Sequence, residues 1–392
     1  MSDAYILAGC RTPIGRLLGS LAAVPSPKLG AIAVGEAVRR AGLPVERVDE
    51  VIMGCVLPAG LGQAPARQAA LGAGLPNTVA ALTINKVCGS GLKAVTLASQ
   101  AIRAGDAQCV IAGGMESMTR APFLLTGARE GWKFGAQTAL DSMQTDGLWC
   151  AFEDVGMGVE ADHIAATRGV SRADQDQFSV ESHKRAVAAA AAGKFNDEIT
   201  PVIISGRKGD VRVDRDEGPR ADTSLDALAK LRPSFGADGT VTAGNASQIS
   251  DGAAALVVAS AEIAREVRSP LKARIVATAT SGVAPKEIFI APVTEVHKVL
   301  EKARLTMKDI DLVELNEAFA AQCLACMRPL DLSPAKTNVH GGAIALGHPI
   351  GASGARVLVT LLYALADRGL QRGLVSLCLG GGNAVAMIIE RE

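Results

Sequence analysis

Asn85-Lys86-Val87-Cys88-Gly89-Ser90-Gly91-Leu92-Lys93-Ala94 puts a cysteine at the mouth of a glycine-punctuated turn that feeds a helix-forming run, Lys93 to Ile102. A helix N-terminus carries unsatisfied N–H groups and partial positive charge, which favours thiolate over thiol. The glycines let a substrate approach the backbone without meeting a Cβ. Taken alone, the same stretch fits a small buried core cysteine, one of the commonest residues of protein interiors. The rest of the chain separates the two readings.

Working outward, the pattern occurs twice. Asp49-Glu50-Val51-Ile52-Met53-Gly54 and Asp311-Leu312-Val313-Glu314-Leu315-Asn316 both read as buried strands ending in a loop. A glycine-rich turn feeding a helix follows each: Cys88 to Gly91 in the first half, Gly347 to Gly354 in the second. Each half closes on a strand ending in glycines, Cys109 to Gly114 and Val375 to Gly382. Apolar strand runs alternating with helices predict α/β units whose sheets are covered on both faces. Two such halves can pack side by side with their glycine turns converging.

Between the halves, from about Thr119 to Asn245, the pattern is irregular and too long for a plain connection. Ser171-Arg172-Ala173-Asp174 resembles a capping box opening a helix through Ala192, rich in alanine and ended by Gly193. The expected division is 1–118 for the first part of an N-terminal α/β domain and 119–249 for a loop domain. Residues 250–268 return to the N-terminal domain, and 269–392 form a C-terminal α/β domain.

Three polar clusters stand in the C-terminal part: Asn316-Glu317-Ala318-Phe319, His340 to Gly354, and Cys378-Leu379-Gly380-Gly381-Gly382. With Cys88 they supply a nucleophile, an imidazole, a second thiol and a carboxamide, the parts of a Cys–His acyl-transfer site. Pro349 and the glycines around His348 are rigid enough to hold an imidazole within reach of a thiol. Each residue also has a plain reading: a structural histidine, a buried strand cysteine at 378, a helix cap at Asn316.

The whole set, from Arg11-Thr12-Pro13 to the final glycine strand, closely resembles the thiolases, CoA-dependent transferases that make or cleave 3-ketoacyl-CoA. The resemblance implies two similar α/β domains forming a five-layered α-β-α-β-α core, plus an inserted loop domain that binds CoA. It implies that Cys88 carries the acyl group and Cys378 moves the α-proton. One oxyanion hole would use His348 with a water held by Asn316, the other the backbone N–H groups of Cys88 and Gly380. Glu317 is then structural. Arg220 is carried over as a nucleotide contact, Ser247 as a pantetheine contact and Met157 as part of the pocket-forming loop. Ala227 stands near where the family often has serine. Gly156-Met157-Gly158 replaces the His-Met-Gly of short-chain members, which predicts a wider acyl pocket walled by Phe289.

The implied function is acyl transfer, as reversible Claisen condensation of acetyl-CoA or thiolysis of 3-ketoacyl-CoA, with acetoacetyl-CoA accepted. The alternatives are a degradative thiolase preferring medium, long or branched chains, and a catalytically silent lipid-binding relative. Coenzyme A and its thioesters are substrates, with no metal or resident cofactor expected. The partner set of Cys, His and a second Cys separates the chain from ketoacyl synthases, which pair Cys with two His or with His and Asn. A homodimer or a homotetramer built as a dimer of dimers is implied. Tetramer contacts would fall in the loop from Leu124 to Leu140, and Arg129 and Lys133 there would add positive charge near anionic CoA.

Bulk properties fit. A chain of 392 residues exceeds one ordinary core. Forty basic residues against 40 acidic give no field drawing it to nucleic acid or an anionic membrane. With 3% aromatics and no RNA-reading motif, a nucleic-acid role is not expected. Met1-Ser2-Asp3 leads straight into strand-like Ala4-Tyr5-Ile6-Leu7 with no signal-peptide pattern, and no apolar run reaches the roughly 20 residues of a membrane span. Of the eight cysteines only Cys323 and Cys326 have C-x-x-C spacing, in a helical run that reads as core. A reducing cytoplasm is the expected location.

Overall fold

The computed structural model describes residues 3–207 and 209–392; the opening Met1-Ser2 lies outside them. The first half runs β1 (Ala4–Arg11), α1 (Ser26–Ala41), β2 (Glu50–Gly54), α2 (Pro65–Gly72), β3 (Ala80–Ile84), α3 (Ser90–Ala104) and β4 (Cys109–Ser117). An inserted lobe follows, with α4 (Met157–Thr167) and α5 (Arg172–Ala191). Strand β5 (Ser250–Ser260) returns between β1 and β4. The second half comprises β6 (Ala273–Gly282), α6 (Ala291–Ala303), β7 (Leu312–Leu315), α7 (Ala320–Met327), α8 (Ile350–Asp367), β8 (Arg372–Leu379) and β9 (Asn383–Arg391).

Pairing follows the duplication. In the first half β2 runs parallel to β3 and β4, and β5 antiparallel to β4 and β1. In the second, β7 runs parallel to β8, and β9 antiparallel to β8 and β6. The place of β3 shrinks to one bridge, Val313 with Thr337. The two sheets join edge to edge through Tyr5 with Arg274 and Ile6 with Ala273.

Strand alternation sorts apolar residues into layers. Ala254, Leu256 and Val258 of β5 face α3 and α8, while Ala255 and Val257 face α1 and α2. Val385, Met387 and Ile389 of β9 share the same central core, while Ala386 and Ile388 pack toward α6 and α7. The result is the five-layered core. Truncating one of its large central residues, such as Leu358, to alanine costs about 2–5 kcal/mol.

Helix α8 is long and apolar enough by composition to cross a membrane, but 83% of that window is buried within the protein. It is buried on nearly every side, Arg356 and Thr360 included, because sheets flank it on both sides. A Cβ on Gly354 would lie 2.4 Å from the Leu92 backbone nitrogen, and one on Gly91 would lie 2.6 Å from that of Ala355. Those absences let α3 and α8 pack backbone to backbone, so their N-terminal ends meet.

The lobe is anchored through β1. Buried Arg11 pairs with Glu198 at 2.6 Å and Asp216 at 2.7 Å, and removing one partner would strand a buried charge. The capping box of α5 forms as expected: Ser171 Oγ accepts from the Asp174 N–H at 3.1 Å, and Asp174 accepts from the Ser171 N–H at 3.4 Å. Gly193 beyond its end has φ of +70°. The 124–140 loop is closed at its base by Phe123–Leu124 pairing with Leu140–Asp141, and Phe134 at its tip is fully exposed.

Candidate active site

Cys88 sits two residues ahead of Ser90, where α3 begins. The turn is closed by its own polar groups. The Lys86 N–H donates to Ser90 Oγ at 2.8 Å, Ser90 Oγ donates to the Val87 carbonyl at 2.7 Å, and Asn85 Oδ1 accepts from the Val87 N–H at 2.9 Å. Val87 is held at φ of +46°, a left-handed conformation that a β-branched residue rarely adopts. Strain of this kind persists where the surroundings over-determine it.

The sulfur of Cys88 faces two backbone donors, its own N–H and that of Gly380. Burial pushes its thiol up to about 12, and these donors pull it down by less. The half-buried sulfur is thus pulled two ways, with desolvation opposing the thiolate that the helix terminus and the two N–H groups favour.

His348 occupies the matching place in the second half, two residues ahead of Ile350, where α8 begins. Its N–H donates to the Gln248 carbonyl at 3.0 Å, and its Nδ1 lies 2.7 Å from Ser353 Oγ. Among the described residues its Nε2 has no partner. Burial lowers its pKa to about 3, with Arg356 adding in the same direction, so the imidazole is neutral.

Cys378 is buried near the end of β8, its thiol raised well above the usual value by burial and then by the nearness of Cys88. Asn316 follows β7, its N–H donating to the Ser376 carbonyl at 3.0 Å. Its buried side chain finds no partner among the described residues for either polar atom. The Asn338 side chain clamps this turn, accepting from the Leu315 N–H at 2.9 Å and donating to the Leu315 carbonyl at 2.8 Å. Glu317 accepts from Ser182 Oγ at 2.6 Å, Asn338 Nδ2 at 2.9 Å and the Ile344 N–H at 3.2 Å. It is a strut between the lobe and the second half.

Cys88, His348, Cys378 and Gly380 line one cavity of 540 Å³, together with Met157 and Ser247. Its wall is largely apolar, with Met118, Ile350, Phe289 and Phe319 among the lining side chains. The Phe319 ring meets Phe289 edge-on at 5.2 Å and Phe235 at 6.3 Å between centroids. Asn316 is not among the lining residues, although Ala318 and Phe319 of the same turn are.

Other expected residues fall elsewhere. Arg220 is exposed and outside the cavity wall, its N–H donating to His183 Nδ1 at 3.1 Å. Arg129 and Lys133 are exposed on the 124–140 loop. Ala227 lies in a short helix, its N–H bonded to Ser224 Oγ at 3.3 Å. Gly156 itself is not among the residues lining the cavity, whereas its neighbours Met157 and Gly158 are. Gly156 caps α4, and a Cβ there would meet the Trp149 ring at 3.8 Å. Cys323 and Cys326 are buried in α7, their thiols directed to the carbonyls of Asn316 at 3.6 Å and Phe289 at 3.0 Å. Among the described residues no cluster of His, Cys, Asp and Glu is arranged to hold a metal ion.

Three residues escaped the sequence reading. Arg16 puts an exposed cation on the cavity lining. Glu116, buried in β4, accepts from the N–H groups of Val56 at 2.9 Å, Gly351 at 2.9 Å and Leu57 at 3.2 Å, tying the start of α8 to the loop after β2. Burial pushes its carboxyl up to about 7. The available signal was a carboxylate within the apolar run Ile111 to Met118. Ser353, the hydrogen-bond partner of His348, was the third.

Fold, cavity and residue set define a family, and the chain belongs to it: residues 4–262 match the thiolase N-terminal domain and residues 269–391 the thiolase C-terminal domain. Among curated relatives it is 51% identical to an acetyl-CoA acetyltransferase of Pseudomonas aeruginosa, and 51% to one of Cupriavidus necator, each match covering 100% of both chains. Its structure is similar to the crystal structure of the Bacillus anthracis acetyl-CoA acetyltransferase, with a TM-score of 0.97 at 41% identity, covering 100% of this chain and 99% of that one.

Proposed function

We propose that this thiolase condenses two acetyl-CoA molecules into acetoacetyl-CoA and free CoA, and runs the reverse thiolysis. The observation that carries the reading is the shared cavity of Cys88, His348 and Cys378, with the N–H groups of Cys88 and Gly380 aimed at the nucleophilic sulfur. The full-length identity to acetyl-CoA acetyltransferases supports it independently.

In the proposed route, His348 Nε2 takes the Cys88 proton as the sulfur attacks the acetyl carbonyl. The two backbone N–H groups hold the oxygen as charge builds on it. The thioester C–S bond breaks, and the leaving CoA sulfur takes the Cys378 proton. The Cys378 thiolate then removes an α-proton from the second acetyl-CoA. Protonated His348, with a water on Asn316, holds the resulting enolate oxygen. The enolate carbon attacks acetyl-Cys88, the Cys88–acyl bond breaks, and the Cys88 sulfur recovers its proton from His348. Both thiols and the neutral imidazole are restored. Burial of Cys378 suits this task, since a desolvated thiolate is a strong base.

We assign no metal or resident cofactor to the route; CoA and its thioesters are substrates. Ser247 is assigned to the pantetheine, Met157 to the wall beside the acyl group, and the exposed guanidinium of Arg220 to the nucleotide. A cytoplasmic location without nucleic-acid or membrane partners agrees with the balanced charge. Assembly as a dimer or dimer of dimers is supported by β3, an outermost strand with Leu82 exposed, and by the exposed Phe123 and Phe134 of the 124–140 loop. A stable monomer in light scattering would refute that assembly. The activity itself is tested by thiolysis of acetoacetyl-CoA, followed by loss of enolate absorbance. Wild-type protein inert in that assay would overturn the reading.

A further inference from the structure

We propose that Ser353 is a positioning residue for catalysis, fixing which nitrogen of His348 carries the proton. It deepens the proposed function, since it rests on His348 acting as the base. Ser353 is fully buried in the first turn of α8, five residues beyond His348. Its Oγ lies 2.7 Å from His348 Nδ1 and 2.9 Å from the Pro349 carbonyl oxygen.

A serine hydroxyl has one proton to give, and a carbonyl can only accept. The Pro349 carbonyl also accepts the N–H groups of Ala352 and Ser353, each at 2.9 Å, and with the Ser353 proton directed to it as well, Oγ accepts the second hydrogen bond from His348 Nδ1–H. A neutral imidazole protonated at Nδ1 has its free lone pair at Nε2. Nε2 is the ring atom left without a partner among the described residues, on a side chain that lines the cavity with Cys88.

The opposite tautomer requires Ser353 to turn its proton to Nδ1. That leaves the Pro349 carbonyl with its two backbone donors alone and puts a hydrogen on Nε2, which then cannot take a proton from sulfur. With Ser353 accepting, the S–H bond of Cys88 breaks as Nε2–H forms, while Nδ1–H stays on Oγ. The orienting group is a neutral hydroxyl, which adds no charge to raise the basicity of the ring. This agrees with an imidazole that burial holds at about 3 and that stays neutral until substrate arrives.

Magic-angle-spinning NMR on ¹⁵N-histidine-labelled wild-type protein reads the tautomer directly, with His348 assigned by loss of its signals in His348→Asn. The expected result is Nδ1 protonated and Nε2 bare; a protonated Nε2 in the neutral ring overturns the proposal. In folded Ser353→Ala the His348 signals should become a mixture of tautomers, and kcat for thiolysis should fall about 10–100-fold with KM little changed. Wild-type kcat together with an unmixed Nδ1–H tautomer in Ser353→Ala would also overturn it. If Ser353→Ala does not fold, the wild-type spectrum alone decides. Wild-type protein inert in thiolysis would instead strike the base role of His348, leaving the spectrum to judge Ser353 separately.

Discussion

Cys88 and His348 stand at equivalent places in the two halves, each two residues ahead of a central helix and each preceded by a residue at positive φ. In the second half that residue is Gly347, at φ of +109°, where glycine is at ease. In the first half it is Val87, at +46°, where a β-branched side chain is strained. One backbone frame thus presents a thiol from one half and an imidazole from the other, the proposed nucleophile and the proposed base. Their settings differ: two backbone N–H groups surround the sulfur, whereas a hydroxyl holds the ring. Duplication supplies the convergence, and local side chains supply the division of labour.

Breaking the nucleophile's side should have the largest effect. Cys88→Ala should lower the rate of acetoacetyl-CoA thiolysis on the order of 10³-fold or more, because the proposed route gives the acyl chain to Cys88 alone. Retention of a tenth of wild-type activity would mean that the equivalence of the two turns has been misread. On the other side, Asn316→Ala should slow the chemical step by about 10²–10³-fold while the protein still folds, as for other oxyanion-hole supports. A change confined to KM would remove Asn316 from the enolate site.

A pH series sharpens the contrast without mutation. Cys88 is raised to about 12 and His348 lowered to about 3, so the resting pair is neutral across the physiological range. Alkylation of Cys88 by iodoacetamide without substrate should therefore climb about tenfold per pH unit from pH 6 to 9. A plateau over that range would reveal a preformed thiolate–imidazolium pair. The smallest effect is expected at Val87→Gly. It relieves about 1–3 kcal/mol of backbone strain but removes a side chain whose Cγ1 would lie 3.2 Å from a Cβ at Gly380. Stability, measured by thermal melting, should rise or stay level while acetylation of Cys88 slows several-fold. Equal loss of both would show that the strain serves the fold and not the site.

Much of this could be read in the chain before the structure. The strand runs Val51 to Met53 and Leu312 to Leu315 are apolar but for Glu314, and the turns at Cys88 and His348 carry their own glycines, so the duplication and the convergence of thiol and imidazole were visible. The edge contact of Tyr5 with Arg274 was not, because two-residue pairing leaves no periodic signature. Nor was the shrinking of the second half's outer strand to a bridge at Thr337. Ser353 and Glu116 escaped because their partners are set by how α8 packs, which no local pattern encodes. The desolvation that opposes a Cys88 thiolate escaped for a related reason: the helix terminus is written in the motif, whereas burial comes from layers assembled across the whole chain. Position 156 could be compared with the family in sequence, but its setting beside the Trp149 ring could not.

The central claim, one thiol to carry the acyl group and another to move the proton, is tested most directly by intact-protein mass spectrometry after mixing with acetyl-CoA. Wild type and Cys378→Ala should each gain one acetyl group, mapped by peptide digestion to Cys88, while Cys88→Ala gains none and Cys378→Ala completes no condensation. Equal loss of acetylation in both variants, or an acetyl group found on Cys378 in the wild type, would contradict the account.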